Sequence, residues 1–183
     1  MRRGDALREG ESGVMESLLV DGYNLIHTHP VFSRLVKSDM ESAREGLLRE
    51  LLPLSSPDHY SLVMVVFDAA GWGGKEPVVE DRGGVVVVFT RRRQSADSFI
   101  EAAVRAMVAG GRVTVATSDR LLRRIAENCG ASGMDAETLF QTAREARQRL
   151  RQEMERVSNR NRVPLEERIS PELRQLLDRM RYR

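Results

Sequence analysis

Continuous apolar runs of strand length punctuate the chain, and helical periodicity fills much of the space between them. Ser17 to Asp21 (SLLVD) is apolar through Val20 and closes on a carboxylate followed by glycine, and Ser61 to Asp68 (SLVMVVFD) repeats that form. Val85 to Phe89 (VVVVF) and Val113 to Asp119 (VTVATSD) are two further runs, the second again ending on aspartate. Runs that do not alternate with polar residues are covered on both faces, which is how strands of a parallel sheet read. Leu47, Leu48, Leu51 and Leu52 recur at helical spacing until Pro53 and Pro57, where a helix must end. Ser95 stands as a cap before a helix with Phe99, Ile100, Ala103, Val104, Met107 and Val108 on one face, and Gly110 and Gly111 stop it. The fourth run feeds a helix that Gly130 terminates, and a long polar helix is predicted from Asp135 to Val157. SPELRQLLDRM predicts a last helix, with Ser170 as cap and Pro171 in its first turn. Five glycines and a proline make Ala69 to Gly84 a loop.

Strands separated by helices or by loops long enough to cross over predict an α/β fold with a parallel sheet. Ligands in such sheets bind at the carboxyl ends of the strands. Asp21, Asp68 and Asp119 end three of the four runs, and Asp97 stands in the first turn of a helix. These four are expected to converge on one edge.

Composition narrows the class. At 183 residues, 41% apolar and 31% charged, the chain has the length and core of one ordinary domain. It divides into a flexible leader (1–15, with Met15 a candidate natural start), a body (16–159) and a basic tail (160–183). The net charge of +2 hides an imbalance: residues 141–183 carry 12 arginines against 7 acids, the rest 17 basic against 20 acidic side chains. Lys37 and Lys75 are the only lysines. Arginine's planar fork suits phosphate, but the base composition of a genome produces the same skew. Cys129 is the single cysteine, so an intramolecular disulfide is excluded and a reducing cytoplasm is the expected location. The amino terminus has no apolar signal core and no run is long enough to span a membrane.

One aspartate after a strand commonly caps a turn. Several brought together repel one another and persist only if a cation or protons neutralise them. With three histidines and one cysteine in the chain, oxygen donors dominate, and hard oxygen donors select Mg2+ or Mn2+. Such an ion can activate water against a phosphodiester. Asp21 and Asp119 are the first candidates to hold it, and Asp97 is kept ionised by its helix. Glu101, one turn on, either supports the ion or pairs with Arg105. Asn24 presents an amide to a carboxylate or phosphate, and Ser118 either bonds phosphate or is a turn hydroxyl.

LLVDGYNLI (18–26), VVFDA (65–69), VVVFT (86–90), SADSFIE (95–101), VTVATSD (113–119) and GASGMDAETL (130–139) together resemble the YacP-like branch of the NYN domains, through most of residues 17–150. That family is similar to the PIN nucleases. The resemblance implies a three-layer α/β/α sandwich, with Asp21, Asp97 and Asp119 as metal-binding acids and Asn24 and Asp68 in support. Because the branch includes a ribosome-associated endoribonuclease, it also implies RNA, messenger RNA above all, and the ribosome as partners, with magnesium or manganese as cofactor. Ser95 replaces the family's usual threonine, and either residue caps a helix.

The remaining candidates are basic or aromatic. Arg91, Arg92 and Arg93 precede the helix of Asp97, where they either hold an RNA backbone beside the acids or form a solvated charge run. Trp72 either stacks on a base or covers the core, and His27 and His29, just after the DGYN motif, either reach the substrate as acid or base or have a surface role without chemistry. An aspartyl phosphatase is disfavoured, since Gly22 and Tyr23 follow Asp21 where that chemistry wants a second acid two residues on. An RNA- or ribosome-binding adaptor with little catalysis is the competing reading.

Overall fold

The computed structural model describes residues 16–36, 38–56, 58–69 and 74–160. The leader, Trp72 and the helix predicted from Ser170 lie outside the described residues. In chain order the elements are β1 (Glu16–Asp21), α1 (Gly22–Thr28), α2 (Phe32–Leu35), α3 (Met40–Leu51) with a 3-10 turn (Leu52–Leu54), β2 (Leu62–Phe67), β3 (Val78–Asp81), β4 (Val85–Phe89), α4 (Ala96–Met107), β5 (Arg112–Ala116), α5 (Arg120–Asn128), β6 (Ser132–Met134) and α6 (Ala136–Arg160).

The strands form one six-stranded sheet in the order β3-β4-β2-β1-β5-β6. All neighbours run parallel except β3, which is antiparallel to β4. The sheet is therefore mixed rather than wholly parallel, and the stretch 69–84 is not all loop. Gly83 and Gly84, both at positive φ, turn the chain from β3 into β4, a conformation that favours glycine. β3 leaves Val78 and Val79 about half exposed or more, as befits a short edge strand, and Glu80 and Asp81 complete it. β6, three residues beside β5, was not expected from the sequence, and neither were α1 and α2.

Alternate strand residues point to opposite faces. Leu19, Val66, Val113 and Val115 share one buried cluster with Ala96, Ile100 and Val104 of α4 and Leu122 and Ala126 of α5. On the opposite face the Phe67 ring lies 4.9 Å from Tyr23 and 5.6 Å from Phe89, and α1, α2 and α3 pack on one another. The His29 ring lies tilted at 4.4 Å from both Phe32 and Phe140, so the start of α6 closes this side. Compactness divides the chain into Met1–Glu145 and Ala146–Arg183, the boundary falling inside α6. No helix among the described residues is long and apolar enough to cross a membrane.

A β-carbon on Gly22 would stand 2.3 Å from Cε1 of Phe67. Only glycine admits the ring under the start of α1, beside Asp21. Overpacking of this kind costs about 1–3 kcal/mol, so Gly22→Ala is expected to lower the unfolding free energy read from urea denaturation by that amount; an unchanged value would mean that the ring gives way freely.

Candidate active site

β1 lies between β2 and β5, and the chain visits β2 before returning to β5 on the other side. The crevice at the carboxyl ends of β1 and β5 is thus the topological switch point, where such sheets bind ligands. Asp21 closes β1, Thr117 to Asp119 follow β5, and Asp68 follows β2.

Three of the four acids are held by part of their carboxylates. Asp21 caps α1: its Oδ1 accepts the Asn24 N–H at 3.4 Å, and its Oδ2 accepts the Thr117 hydroxyl at 3.0 Å. Asp119 caps α5, with Oδ1 accepting the Leu121 and Leu122 N–H groups at 2.7 and 3.2 Å. Oδ1 of Asp68 accepts the N–H of Ala96 at 2.6 Å, tying the end of β2 to the start of α4 and so placing Asp97 in that first turn. Ser95 caps the same helix through Ser98.

Charge confirms the proximity. Burial pushes the Asp21 carboxyl up to about 6, against the hydrogen bonds from Thr117 and Asn24 and with the charges of Asp97 and Asp68 adding to the rise. Asp97 is raised as well, by desolvation first and then by Asp119 and Asp68. The four acids therefore share one edge within electrostatic reach.

Asn24 acts as a strut, its Oδ1 accepting the Ser118 N–H at 2.7 Å. The Ser118 hydroxyl bonds Thr28 at 3.2 Å, which joins α1 to the β5–α5 turn. Glu101 pairs with Arg105 at 2.5 Å. Tyr23 gives its ring to Phe67 and accepts a hydrogen bond from Arg44 at 3.1 Å. His29 is packed between rings, with its pKa lowered chiefly by burial; His27 is exposed. Arg91, Arg92 and Arg93 share a hollow with Asp68, Ala69 and Ser95, so the basic loop borders the acids.

Thr117 was missed by sequence reasoning. Fully buried, its Oγ1 donates to Asp21 and accepts the Asp119 N–H at 3.0 Å, linking two of the acids. The one available signal was a hydroxyl directly before Ser118-Asp119 at a strand end.

The donor chemistry suits a hard divalent cation, since mutually repelling carboxylates are relieved by one. Among the described residues, however, no three His, Cys, Asp or Glu side chains form a ready-made metal cage. Asp21, Asp68 and Asp119 each commit oxygen to the fold, which leaves few direct ligands, and magnesium commonly retains several waters.

A mostly parallel sheet with acids gathered at its carboxyl edge is an α/β fold with its ligand site at the switch point, and its match to the NYN domains gives it their PIN-like nuclease fold. The chain belongs to the YacP-like NYN domain family, whose model matches residues 18–182. It is 36% identical over 106 residues to the uncharacterized protein YacP of Bacillus subtilis (strain 168), a match covering 57% of this chain and 61% of that relative. The crystal structure of Rae1 (YacP) from Bacillus subtilis superposes with a TM-score of 0.66 at 27% identity, covering 91% of this chain and 95% of that one. A tryptophan-to-leucine variant of Rae1 gives 0.67 at 27% identity, covering 91% and 99%.

Proposed function

We propose that this protein is a divalent-metal-dependent endoribonuclease of the cytoplasm that hydrolyses RNA phosphodiester bonds, messenger RNA on the ribosome being its substrate. The observation that supports this reading best is the set of four acids at the switch point, Asp21, Asp68, Asp97 and Asp119, beside an arginine turn, with the Asp21 and Asp97 carboxyls raised by burial first and by neighbouring acids second. Asp21, Asp97 and Asp119 would hold the magnesium or manganese ion. When bound, the ion supplies an activated water and charge stabilisation for the leaving oxygen. Asp68 fixes the first turn of α4 and thereby Asp97, Asn24 fixes the turn bearing Ser118, and Arg91 to Arg93 hold the RNA backbone against the edge.

A second reading, an RNA- or ribosome-binding adaptor with little catalysis, is favoured by the lack of a ready-made three-ligand cage among the described residues. Incubation of the full chain with single-stranded and translated RNA in magnesium, manganese or EDTA separates the two. Cleavage is expected only with metal and is expected to vanish in Asp21→Asn and Asp97→Asn. RNA or ribosome binding with no product that depends on either aspartate would establish the adaptor instead.

A further inference from the structure

The arginine turn has two sides, and the acidic edge uses one of them. Gln94 N–H donates to the Arg91 carbonyl at 3.0 Å, closing a tight turn with Arg92 and Arg93 at its centre. Arg93, at φ 65, is the only non-glycine residue with positive φ among the described residues. Positive φ at the third position of a turn is the glycine place of type II geometry, so an arginine there carries backbone strain. The Arg92 N–H donates to the Gly74 carbonyl at 3.0 Å, pinning the turn against the segment that bears Lys75.

This places three consecutive arginines as a wall between two hollows. One, about 480 Å³, reaches Asp68. The other, about 860 Å³, lies between the turn and Lys75, with Gln94 and Ser98 also lining it. Among the described residues no acidic side chain lines the larger hollow, and its four cations take part in none of the ion pairs. Four cations without acids around an open hollow attract a polyanion, and neutral Gln94 beside them offers hydrogen bonds to phosphate or ribose.

Building on the nuclease reading above, we propose that the hollow between Lys75 and the Arg91–Arg93 turn is a flanking-phosphate subsite, which grips the RNA chain beyond the scissile bond on one side of the cut only. The direction follows from the sheet. The turn succeeds β4, Asp68 succeeds β2, Asp21 closes β1 and Asp119 succeeds β5, in that order along the carboxyl edge. A strand lying along this edge reaches the Lys75 hollow in one direction.

Two measurements test it on the full chain. In EDTA, where the ion is withheld, binding of fluorescein-labelled single-stranded oligoribonucleotides is followed against salt. Lys75→Ala, whose residue is exposed, is expected to flatten the log–log salt slope by about 0.7, the value for one phosphate contact to a single strand. Arg93→Gly removes charge while relieving the turn, and is expected to weaken binding and flatten the salt slope by about 0.7, with an unchanged or higher melting temperature. With metal, substrates trimmed from one end are expected to lose kcat/KM through KM, those trimmed from the other end are not, and Lys75→Ala is expected to abolish the difference. Equal sensitivity to both ends, or wild-type binding by Lys75→Ala and Arg93→Gly, would overturn the subsite. Charge- and length-dependent binding without any cleavage would sustain the subsite and overturn the nuclease reading.

Discussion

Asp21→Asn is expected to cut cleavage about a thousandfold and at the same time to make the metal-free protein more stable at neutral pH. The two effects share one cause. Burial raises the Asp21 carboxyl from 3.8 to about 6, so ionising it costs the folded state more than the unfolded chain. A raised acid contributes no penalty below the unfolded value, and the penalty grows as pH climbs through the window from 3.8 to about 6. At 1.36 kcal/mol for each unit, the full penalty above that window is about 3 kcal/mol. Asparagine carries no such charge, though its NH2 group meets the Asn24 N–H less well than a carboxylate does, and a hydrogen bond is worth about 1 kcal/mol. The net expectation is a gain of about 2 kcal/mol at pH 7, vanishing at acid pH, measured by urea denaturation in EDTA across the pH range. Added manganese is expected to stabilise the wild type by mass action and to leave the variant nearly unmoved. Cleavage should fall about a thousandfold, as loss of several kcal/mol of ion-mediated stabilisation requires. If the two proteins show the same stability at pH 4 and pH 7, Asp21 is not the strained acid that its burial makes it.

Which parts of this edge are legible in the chain follows from how local each cause is. β1, β2, β4 and β5 could be read because an unbroken valine-rich run has no solvent-facing side to hide, and Asp21, Asp68 and Asp119 could be read because each ends or closely follows such a run. β3 could not: its four residues are half polar and border glycines, and it is a strand only because the free side of β4 gives it a partner. α1 was hidden for a different reason. Its seven residues offer Leu25 and Ile26 as their buried apolar side chains, and the residue that caps the helix is Asp21 itself, so one carboxylate serves both fold and site. At Glu101 the spacing permitted both an ion-supporting role and a pairing with Arg105, and the i, i+4 geometry of α4 forms the pairing. The strut from Asn24 to Ser118 and the bond from Thr117 to Asp21 join residues 94 and 96 positions apart. Nothing local marks them, because they exist only once β1 and β5 lie side by side.

Thr117→Val should therefore damage the site more than any other substitution outside the four acids. Valine keeps the shape and the β-branched preference for extended backbone, so the loss is that of one buried hydroxyl. That hydroxyl donates to Asp21 Oδ2 and accepts the Asp119 N–H, both at 3.0 Å, and removing it strips one acid of a donor while leaving a backbone N–H beside the other without its acceptor. Unsatisfied groups of this kind cost about 1–3 kcal/mol, so the urea midpoint should fall accordingly. The Thr117 hydrogen bond holds the Asp21 carboxyl down against burial. Without it the carboxyl moves further above its ordinary range, and in metal-free protein the pH window of falling stability extends upward beyond that of the wild type. Activity should drop about a hundredfold, since a displaced group near the chemistry readily loses that much. Thr117→Ser, which restores the hydroxyl without the methyl group, should recover most of the activity and return the pH window to its wild-type place. A serine variant no better than valine would show that packing of the methyl group, and not the bridge between Asp21 and Asp119, is what position 117 contributes.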